Sequence, residues 1–363
     1  MYGQRKSGRE HRHSYGNEGN RGYPPKKKGD SKGKHGERKP PMYLIPGETR
    51  KLLPNPLRSI ENLSLKLEKY APFALDKKGS RKASLKDLHN SLKLENNILK
   101  LYGKFFGLYT VMLKDLNATS FTMKTTSRLV VGLGDESVYE VSIRLMRNYS
   151  VPYIPGTALK GVTKAYTIEM LAELLTEHSD LCNDFFECAG NVQEWLNGGA
   201  VGNFPEKVGV ENISKQLEEF LRIFLREPIP EEIPVRKMAE TAVMMFGTTE
   251  KEGSVVFFDA LLLQEALEGL GGEIFEFDIM NPHYGQYYQG EGNSNPPGDW
   301  YDPVPVLFLT VKEGVEFIFA VGRSKACKNP QLVDKAARIL KLALKEHGVG
   351  AKTSLGYGRF VEV

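Results

Sequence analysis

The segment 151–161, VPYIPGTALKG, constrains the fold more than any other stretch of the sequence. Two prolines and a glycine keep the backbone extended and then turn it, and Thr157 is placed to cap a helix over residues 162–175. A helix that begins here points N–H groups without helical partners at whatever lies in front of it, and Lys160 adds a positive charge. The segment therefore predicts a helix start that holds an anion or packs tightly against a neighbour.

The length and composition limit the class of protein. A chain of 363 residues has enough material for one large domain or two ordinary ones. No apolar run approaches the roughly 20 residues of a membrane span, and the first residues are polar and basic, so we expect no transmembrane helix and no secretory signal. Cys182, Cys188 and Cys327 are too few for a disulfide framework or a four-cysteine zinc site, which predicts a cytoplasmic protein with structural thiols.

The net charge of +4 averages two unlike parts. Residues 1–41 hold 12 Lys+Arg and 4 Asp+Glu, a net of +8, whereas the remaining 37 Lys+Arg and 41 Asp+Glu give −4. The first part has almost nothing to bury, so we expect a disordered basic tail. Its run Lys26 to Lys28, with Tyr15 and Tyr23 nearby, suits a phosphate backbone, but a solubilising leader without a fixed partner fits equally well.

From Met42 onward the pattern is that of a globular α+β protein. We expect a helical addition at 42–116, packed on the core, and a main domain at 117–363 with a helical insertion at about 176–245. The predicted helices lie at 59–70, 84–106, 162–175, 236–246 and 331–347. The predicted strands lie at 117–134, 139–145, 253–260, 273–279 and 360–363, with 304–311 pairing with 315–321 across a three-residue turn.

Two glycine motifs superficially suggest a nucleotide cofactor. Gly156 to Thr163 nearly matches a phosphate-binding P-loop, but Val162 stands where the lysine is required. Gly350 to Ser354 follows a helix and precedes a strand, the reverse of a dinucleotide fingerprint. We therefore predict no cofactor. Asp259 and Asp278 lack a third candidate ligand, so we expect no metal and interpret them as salt-bridge or capping residues.

Residues 281–288, NPHYGQYY, gather aromatic side chains and one histidine in a long loop. Because the unperturbed pKa of a histidine side chain lies near neutrality, His283 is a candidate general base for cleaving RNA at a 2′-hydroxyl. No second histidine or lysine is tied to it by spacing. His283 and Tyr284 fit RNA stacking or hydrogen bonding as well, and a purely structural loop is the remaining alternative.

In order along the chain, several motifs resemble the RAMP superfamily of CRISPR effector proteins. They are the segment 153–161, Phe246-Gly247 ahead of 255–260, and the glycine-rich ending at 348–359. The segments 127–134, 281–288 and 302–309 narrow the resemblance to the sixth-subunit family of the type III-B (Cmr) complex. The resemblance covers about residues 117–363, and the basic tail lies outside it.

This resemblance implies a ferredoxin-like, RRM-related core and a non-catalytic subunit that helps hold guide RNA, near its 3′ part, and target RNA. Its implied partners are those RNAs and other RAMP subunits of the complex. Gly156, Thr157 and Lys160 fall on the family's helix start, and Lys352, Ser354, Tyr357 and Arg359 fall in its glycine-rich loop. We expect these two segments to face each other across one groove, bordered by Arg128, that grips phosphates. Alternatively, much of the helix-start motif only seats the helix on the sheet.

Two rival functions remain open on the sequence alone. The superfamily also contains metal-independent endoribonucleases that process repeat RNA, for which His283 is the candidate base. A protein-only assembly adaptor is the third possibility, and it predicts an isolated chain without RNA affinity.

Overall fold

A computed structural model describes residues 42–75, 81–83, 85–225, 228–284, 287–288, 296, 298, 300 and 302–363. The strands are β1 (Met42–Tyr43), β2 (Pro72–Leu75), β3 (Arg81–Ala83), β4 (Thr119–Thr125), β5 (Leu145–Met146), β6 (Val151–Ile154), β7 (Val208–Gly209), β8 (Glu232–Ile233), β9 (Val255–Phe257), β10 (Ala260–Leu262), β11 (Phe275–Met280), β12 (Val306–Val311), β13 (Glu316–Arg323) and β14 (Phe360–Glu362). The helices are α1 (Gly47–Leu52), α2 (Pro56–Ser59), α3 (Leu63–Glu68), α4 (Asn96–Asp115), α5 (Gly156–His178), α6 (Phe185–Gly198), α7 (Lys215–Leu225), α8 (Val235–Phe246), α9 (Gln264–Gly269) and α10 (Gln331–Glu346). Short 3₁₀ helices span Leu85–Ser91, Val201–Asn203 and Thr353–Leu355. The predicted α+β class is confirmed.

Strand β13 is the centre of the main sheet, whose strand order is β14-β4-β13-β10-β6-β5, with β9 pairing with the end of β13. Every pairing in this sheet is antiparallel. Phe317 and Phe319 of β13 are fully buried and pack against Phe360 of β14. Helices α5 and α10 pack against each other and against strands of the sheet, and α10 buries its apolar face through Leu332, Ala336, Ile339 and Leu340. The amphipathic pattern predicted for 331–347 is therefore an α-helix that covers the sheet.

The predicted hairpin between residues 304–311 and 315–321 is wrong. Strand β12 pairs with β11 over the full register from Phe275↔Val311 to Met280↔Val306, whereas β13 pairs with β4, β9 and β10. The intervening turn is tied to the end of β4, because Gly314 N–H donates to the Thr125 carbonyl and Val315 N–H to the Thr125 hydroxyl. This buried threonine directs the chain from one sheet into the other.

The N-terminal helices begin and end at different residues from those predicted. The helix predicted at 84–106 is a 3₁₀ helix followed by α4, which begins at Asn96 and continues to Asp115. The helix predicted at 59–70 is the shorter α3, capped by the Asn62 side chain accepting from Leu65 N–H. Position 84, the predicted capping residue, lies outside the described residues, as does the predicted basic tail at 1–41.

The boundaries of α5 and of two strands also differ from the prediction. Helix α5 begins at Gly156, six residues earlier than predicted, with Pro155 as its N-cap residue in place of Thr157. The strand predicted at 117–134 is the shorter β4. The strand predicted at 139–145 is wrong, because residues 139–144 form no strand and β5 begins only at Leu145. Between α5 and β9 the chain forms α6, α7 and α8, and α8 coincides with the helix predicted at 236–246, whereas α6 was not predicted as a separate helix.

Cys182 and Cys188 form a disulfide, which corrects the prediction that they are free thiols. Cys182 precedes α6 and Cys188 lies in its first turn, which brings their Cα atoms to 5.4 Å from each other. Cys327 remains a free thiol. Among the described residues, no helix is both long and apolar enough to cross a membrane.

Two glycines of the C-terminal loop differ in how closely the chain packs around them. Gly358 has φ +67°, and a Cβ at this position would lie 2.0 Å from the Val349 carbonyl oxygen. Val349 N–H donates in turn to the Gly358 carbonyl, so the two backbones lie in direct contact. Gly356 also has a positive φ, of +88°, but a Cβ there would meet no atom within 4 Å.

These two glycines make a matched pair. We expect Gly358→Ala to destabilise the fold by roughly 3 kcal/mol, because the methyl group would overlap backbone that has no room to move. Gly356→Ala should lose only about 1 kcal/mol, the cost of the left-handed conformation alone. Urea unfolding of both variants tests this, and equal losses would contradict the packing role of Gly358.

Candidate nucleic-acid interface

The start of α5 is closed by groups of the chain itself. Gly156 N–H donates to Asp259 Oδ1 at 2.7 Å. A Cβ on Gly156 would lie 2.1 Å from the Phe257 carbonyl oxygen, so no other residue fits without moving the backbone. A carboxylate at a helix N-terminus satisfies the N–H group and the local dipole. Asp259 is therefore the capping residue that the sequence predicted, and it occupies part of the place expected for an external anion.

An open cleft of about 490 Å³ lies beside this helix start. Thr157, Lys160, Lys251 and Ser324 line it together with Glu250 and Glu252, so its charge is mixed. Lys160 is half-buried. One turn further, burial and then the charge of Lys160 lower the pKa of Lys164, whose ammonium donates to Asn197 at 2.6 Å. The cations available to a ligand in this cleft are therefore Lys160 and Lys251.

A second group of predicted residues forms an ionic network where the glycine-rich loop meets the β11–β12 hairpin. Arg128 donates to Glu276 at 2.5 Å and lies 3.3 Å from Asp278. The Tyr357 hydroxyl donates to the other side of this network, at Asp278. The Lys352 ammonium lies 5.3 Å from the centre of the Phe308 ring. Two cations and two carboxylates thus largely compensate one another.

The pKa values of this network reflect these contacts. Burial alone would raise the pKa of Asp278, but hydrogen bonds from Tyr357 and Ile279 N–H, with the charges of Arg128 and Lys352, hold that pKa below its usual value. Burial and then the hydrogen bond to Asp278 raise the pKa of Tyr357. The hydrogen bond to Glu276 is the main reason that the pKa of Arg128 is raised. Each of these three shifts favours the form that the group has at neutral pH, namely ionised Asp278, neutral Tyr357 and charged Arg128.

Three of the predicted residues in this part of the chain remain accessible. Ser354 and Arg359 are exposed, and Lys352 is half-buried. Lys352 adopts φ +63°, a left-handed conformation that is uncommon for a residue with a side chain. Arg359 contributes its carbonyl to the packing, accepting from Thr126 N–H, while its side chain is exposed.

His283 and Tyr284 lie just beyond β11, in the connection that leads from β11 to β12. Their ring centres are 6.2 Å apart, and His283 is exposed. In the described part of the chain, no hydrogen bond or ion pair to the His283 imidazole is found. The described residues of this connection thus present aromatic surface, with Tyr288 74% and Trp300 73% exposed, while residues 285, 286 and 289–295 lie outside the described part.

The expected single groove is wrong, because the pairing of the sheet separates its two walls. Strands β6 and β14 both run in the direction of β13. Helix α5 follows the end of β6, at the end of the sheet where β13 finishes, whereas the glycine-rich loop precedes β14, where β13 begins. Three strands also lie between β6 and β14, a lateral distance of roughly 20 Å. The predicted residues therefore form two separate groups, the helix-start cleft and the loop network.

Sequence reasoning missed Glu276 as a partner of this network. The sequence did contain a signal for it: Glu276 and Asp278 are two residues apart in a strand, so their carboxylates lie on the same face. The pairing of Leu129 with Val311 could not be predicted from the sequence. This isolated bridge brings Arg128 beside β11, the strand that carries both carboxylates.

The part of the chain that forms the main sheet and its covering helices matches the model of a known superfamily. The family model of the RAMP superfamily matches residues 122–361. The chain therefore belongs to the RAMP superfamily.

Within the superfamily, the chain is similar to Cmr6 subunits. It is 46% identical over 329 residues to the CRISPR system Cmr subunit Cmr6 of Pyrococcus furiosus, covering 89% of this chain and 92% of that protein. It is 20% identical over 312 residues to the Cmr6 subunit of Saccharolobus solfataricus, covering 84% and 79% of the two chains.

Two solved structures are also similar. The crystal structure of Cmr6 from Pyrococcus furiosus has 50% sequence identity and a TM-score of 0.48, covering 68% of this chain and 97% of that one. A chain of the type III-B Cmr-beta complex bound to cognate target RNA has 20% identity and a TM-score of 0.42, covering 75% and 67%.

The loop network predicts that the fold loses stability as the pH becomes acidic. The pKa of Asp278 is depressed in the folded state, so its ionised form stabilises the fold above the pKa of the unfolded chain, and this contribution is lost as the pH falls through the folded-state value. We expect Asp278→Asn to be less stable than the wild type at pH 7 and to lose less melting temperature between pH 7 and pH 3. Glu48→Gln, which removes an exposed ion pair on α1, is the control and should follow the wild type. A wild-type slope retained in Asp278→Asn would show that the network does not act through this carboxylate.

Proposed function

We propose that this chain is an RNA-binding structural subunit of a type III-B CRISPR (Cmr) ribonucleoprotein complex, where it helps hold guide RNA near its 3′ part and target RNA. The observation that carries this proposal is the 46% identity to a Cmr6 subunit across nearly the whole of both chains. Its partners are then the guide RNA, the target RNA and other RAMP subunits of the complex, and its place is the cytoplasm. No cofactor is part of this function.

We further assign the core to the ferredoxin-like class. In chain order β4, α5, β10, β13, α10 and β14 form a β-α-β-β-α-β unit, and their strands lie in the sheet as β14-β4-β13-β10. This is the fourth-first-third-second order of ferredoxin-like sheets. On this assignment residues 42–116 are an addition to the core and α6 to α8 an insertion into it.

The two separated groups of cations give the RNA contact a different form from a single groove. The helix-start cleft offers Lys160 and Thr157 beside Gly156, whose N–H is capped by Asp259, and the loop offers the exposed Arg359 and Ser354 with the half-buried Lys352. These two groups are suited to phosphates at two points of one strand. Arg128 is paired with Glu276, and the Tyr357 hydroxyl donates to Asp278, so these two residues mainly fix the glycine-rich loop against β11. Contacts of this kind read backbone and shape, with little base specificity.

The enzymatic alternative, a metal-independent endoribonuclease, depends on His283. Acid–base cleavage of RNA needs a second group to protonate the leaving oxygen. Since no acid or base contacts His283 among the described residues, the geometry favours a role in stacking, shared with Tyr284.

RNA binding by the loop is tested by removing its cations. We expect Arg359→Ala and Lys352→Ala each to weaken binding of single-stranded RNA to the full chain for every sequence tried, and to lower the slope of log K against log salt by about 1. Lys160→Ala should act in the same way at the other group. Lys51→Ala, which removes an exposed cation of α1, is the control. Fluorescence anisotropy across a salt series measures all four, and affinities unchanged in the three test variants would refute the assigned interface.

The nuclease alternative has its own measurement. We expect the wild-type chain to leave CRISPR repeat RNA intact in EDTA, since its role here is to hold RNA. Specific cleavage that His283→Ala abolishes while RNA affinity persists would replace the structural role with a catalytic one.

A further inference from the structure

Helix α4 carries a row of apolar side chains that no described part of the chain covers. They are between 38% and 73% exposed and comprise Leu101, Leu108, Val111 and Met112 of the helix and Leu116, its C-cap residue. Isolated exposed apolar residues are ordinary, but a contiguous row on one helix marks a surface that another molecule covers. We call this row, with the half-buried Phe105, the α4 ridge.

The ridge is presented by a firmly anchored helix. The adjoining face of α4 is buried through Ile98, Tyr102, Phe106 and Leu113. The Tyr102 hydroxyl donates to the Leu262 carbonyl at 2.6 Å, and the Tyr109 hydroxyl donates to the Asp259 carbonyl at 2.7 Å. Because α4 is fixed to the main sheet along its length, the ridge is a rigid surface and does not result from fraying at a helix end.

The spacing of the ridge is that of a helix-packing seam. Leu101, Phe105, Leu108 and Met112 follow one another at intervals of four, three and four residues, as the a and d positions of a coiled coil do. The Phe105 ring is held in this row by stacking on Tyr149, with ring centres 4.7 Å apart. From Leu101 to Leu116 the ridge is about 22 Å long, which matches four turns of a partner helix.

The charges beside the ridge select the partner. Lys100, Lys104 and Lys114 are exposed on its outer side, and Asp115 is the one acidic side chain of α4. Lys104 stands directly before Phe105, the place from which side chains reach across a helix pair. A second copy of α4 would bring lysines together, whereas a helix bordered by Asp and Glu would form ion pairs with them.

We propose that the α4 ridge is the docking surface for an amphipathic helix of another protein subunit, whose apolar seam is bordered by Asp and Glu. This inference rests on the proposed function, which supplies a complex of protein subunits. RNA fits the ridge poorly, because the ridge side chains are apolar and offer no donors to phosphate oxygens. The helix-start cleft and the loop network are then left for RNA.

The test uses the full chain and the remaining Cmr subunits from the same organism, each purified separately without RNA. We expect one subunit that contains such an acid-bordered helix to bind the wild-type chain, and Leu108→Glu to weaken that binding at least about tenfold by placing a charge in the seam. Lys104→Glu should weaken it as well. Leu52→Glu is the matched control, because Leu52 is 83% exposed on α1, and it should bind like the wild type. Isothermal titration measures affinity, and circular dichroism checks that each variant is folded.

Several results would overturn the inference. Wild-type affinity of folded Leu108→Glu for every subunit would show that the ridge is not the contact. A wild-type dimer that Leu108→Glu dissociates would assign the ridge to a second copy, and a loss confined to RNA affinity would assign it to RNA. Failure of the proposed function looks different, since then the wild-type chain itself would bind neither RNA nor any subunit.

Discussion

Hydrogen bonding of β13 on both edges is the constraint on which the rest of the structure depends. Since β4 and β10 both run against β13, the strands outside them, β14 and β6, must both run along it. Because β6 and β14 run in the same direction, the helix that follows β6 and the glycine-rich loop that precedes β14 lie at opposite ends of the sheet. No choice of side chains in either segment can bring them together while this sheet is intact. The distribution of the candidate RNA contacts thus follows from strand direction more than from local sequence.

The same constraint explains which parts of the fold were predictable from the sequence. Amphipathic α10 and the helical spacing of 236–246 depend on residues close in sequence, and the structure has helices there. The pairing of β12 with β11 in place of β13 depends on contacts across the chain, above all those that buried Thr125 makes with the turn at 312–315. A three-residue turn between two apolar strands is a typical hairpin signal, but it says nothing about such competing partners. The existence of β12 and β13 was therefore predictable, whereas their pairing was not.

The candidate site shows the same division. The residue types at 156–160 and 352–359 were identified from the motifs, and Asp259 and Asp278 were correctly interpreted as capping and ion-pairing residues. The sequence did not reveal that these carboxylates would be the internal partners of the predicted anion-binding groups. Asp259 takes the first N–H of α5, and Glu276 with Asp278 holds Arg128. A motif that binds an external anion and a motif that packs a helix on the sheet use the same residue types. Only the position of the nearest carboxylate of the chain shows which role a given residue has.

This internal compensation has a consequence for how such a chain can hold RNA. Residues 42–363 carry 37 Lys+Arg against 41 Asp+Glu, so the globular part has no general attraction for a polyanion. On the proposed function, RNA affinity then comes from a few cations, such as the half-buried Lys160 and the exposed Arg359, or from the 12 Lys+Arg of residues 1–41. Two separated contacts of modest strength hold a strand well only when something else fixes the chain along it, because binding at the second point then occurs at high effective concentration. A rigid protein contact through α4, as proposed above, would supply that fixation. On that proposal, the apolar ridge and the sparse cations act together to hold RNA without a basic surface.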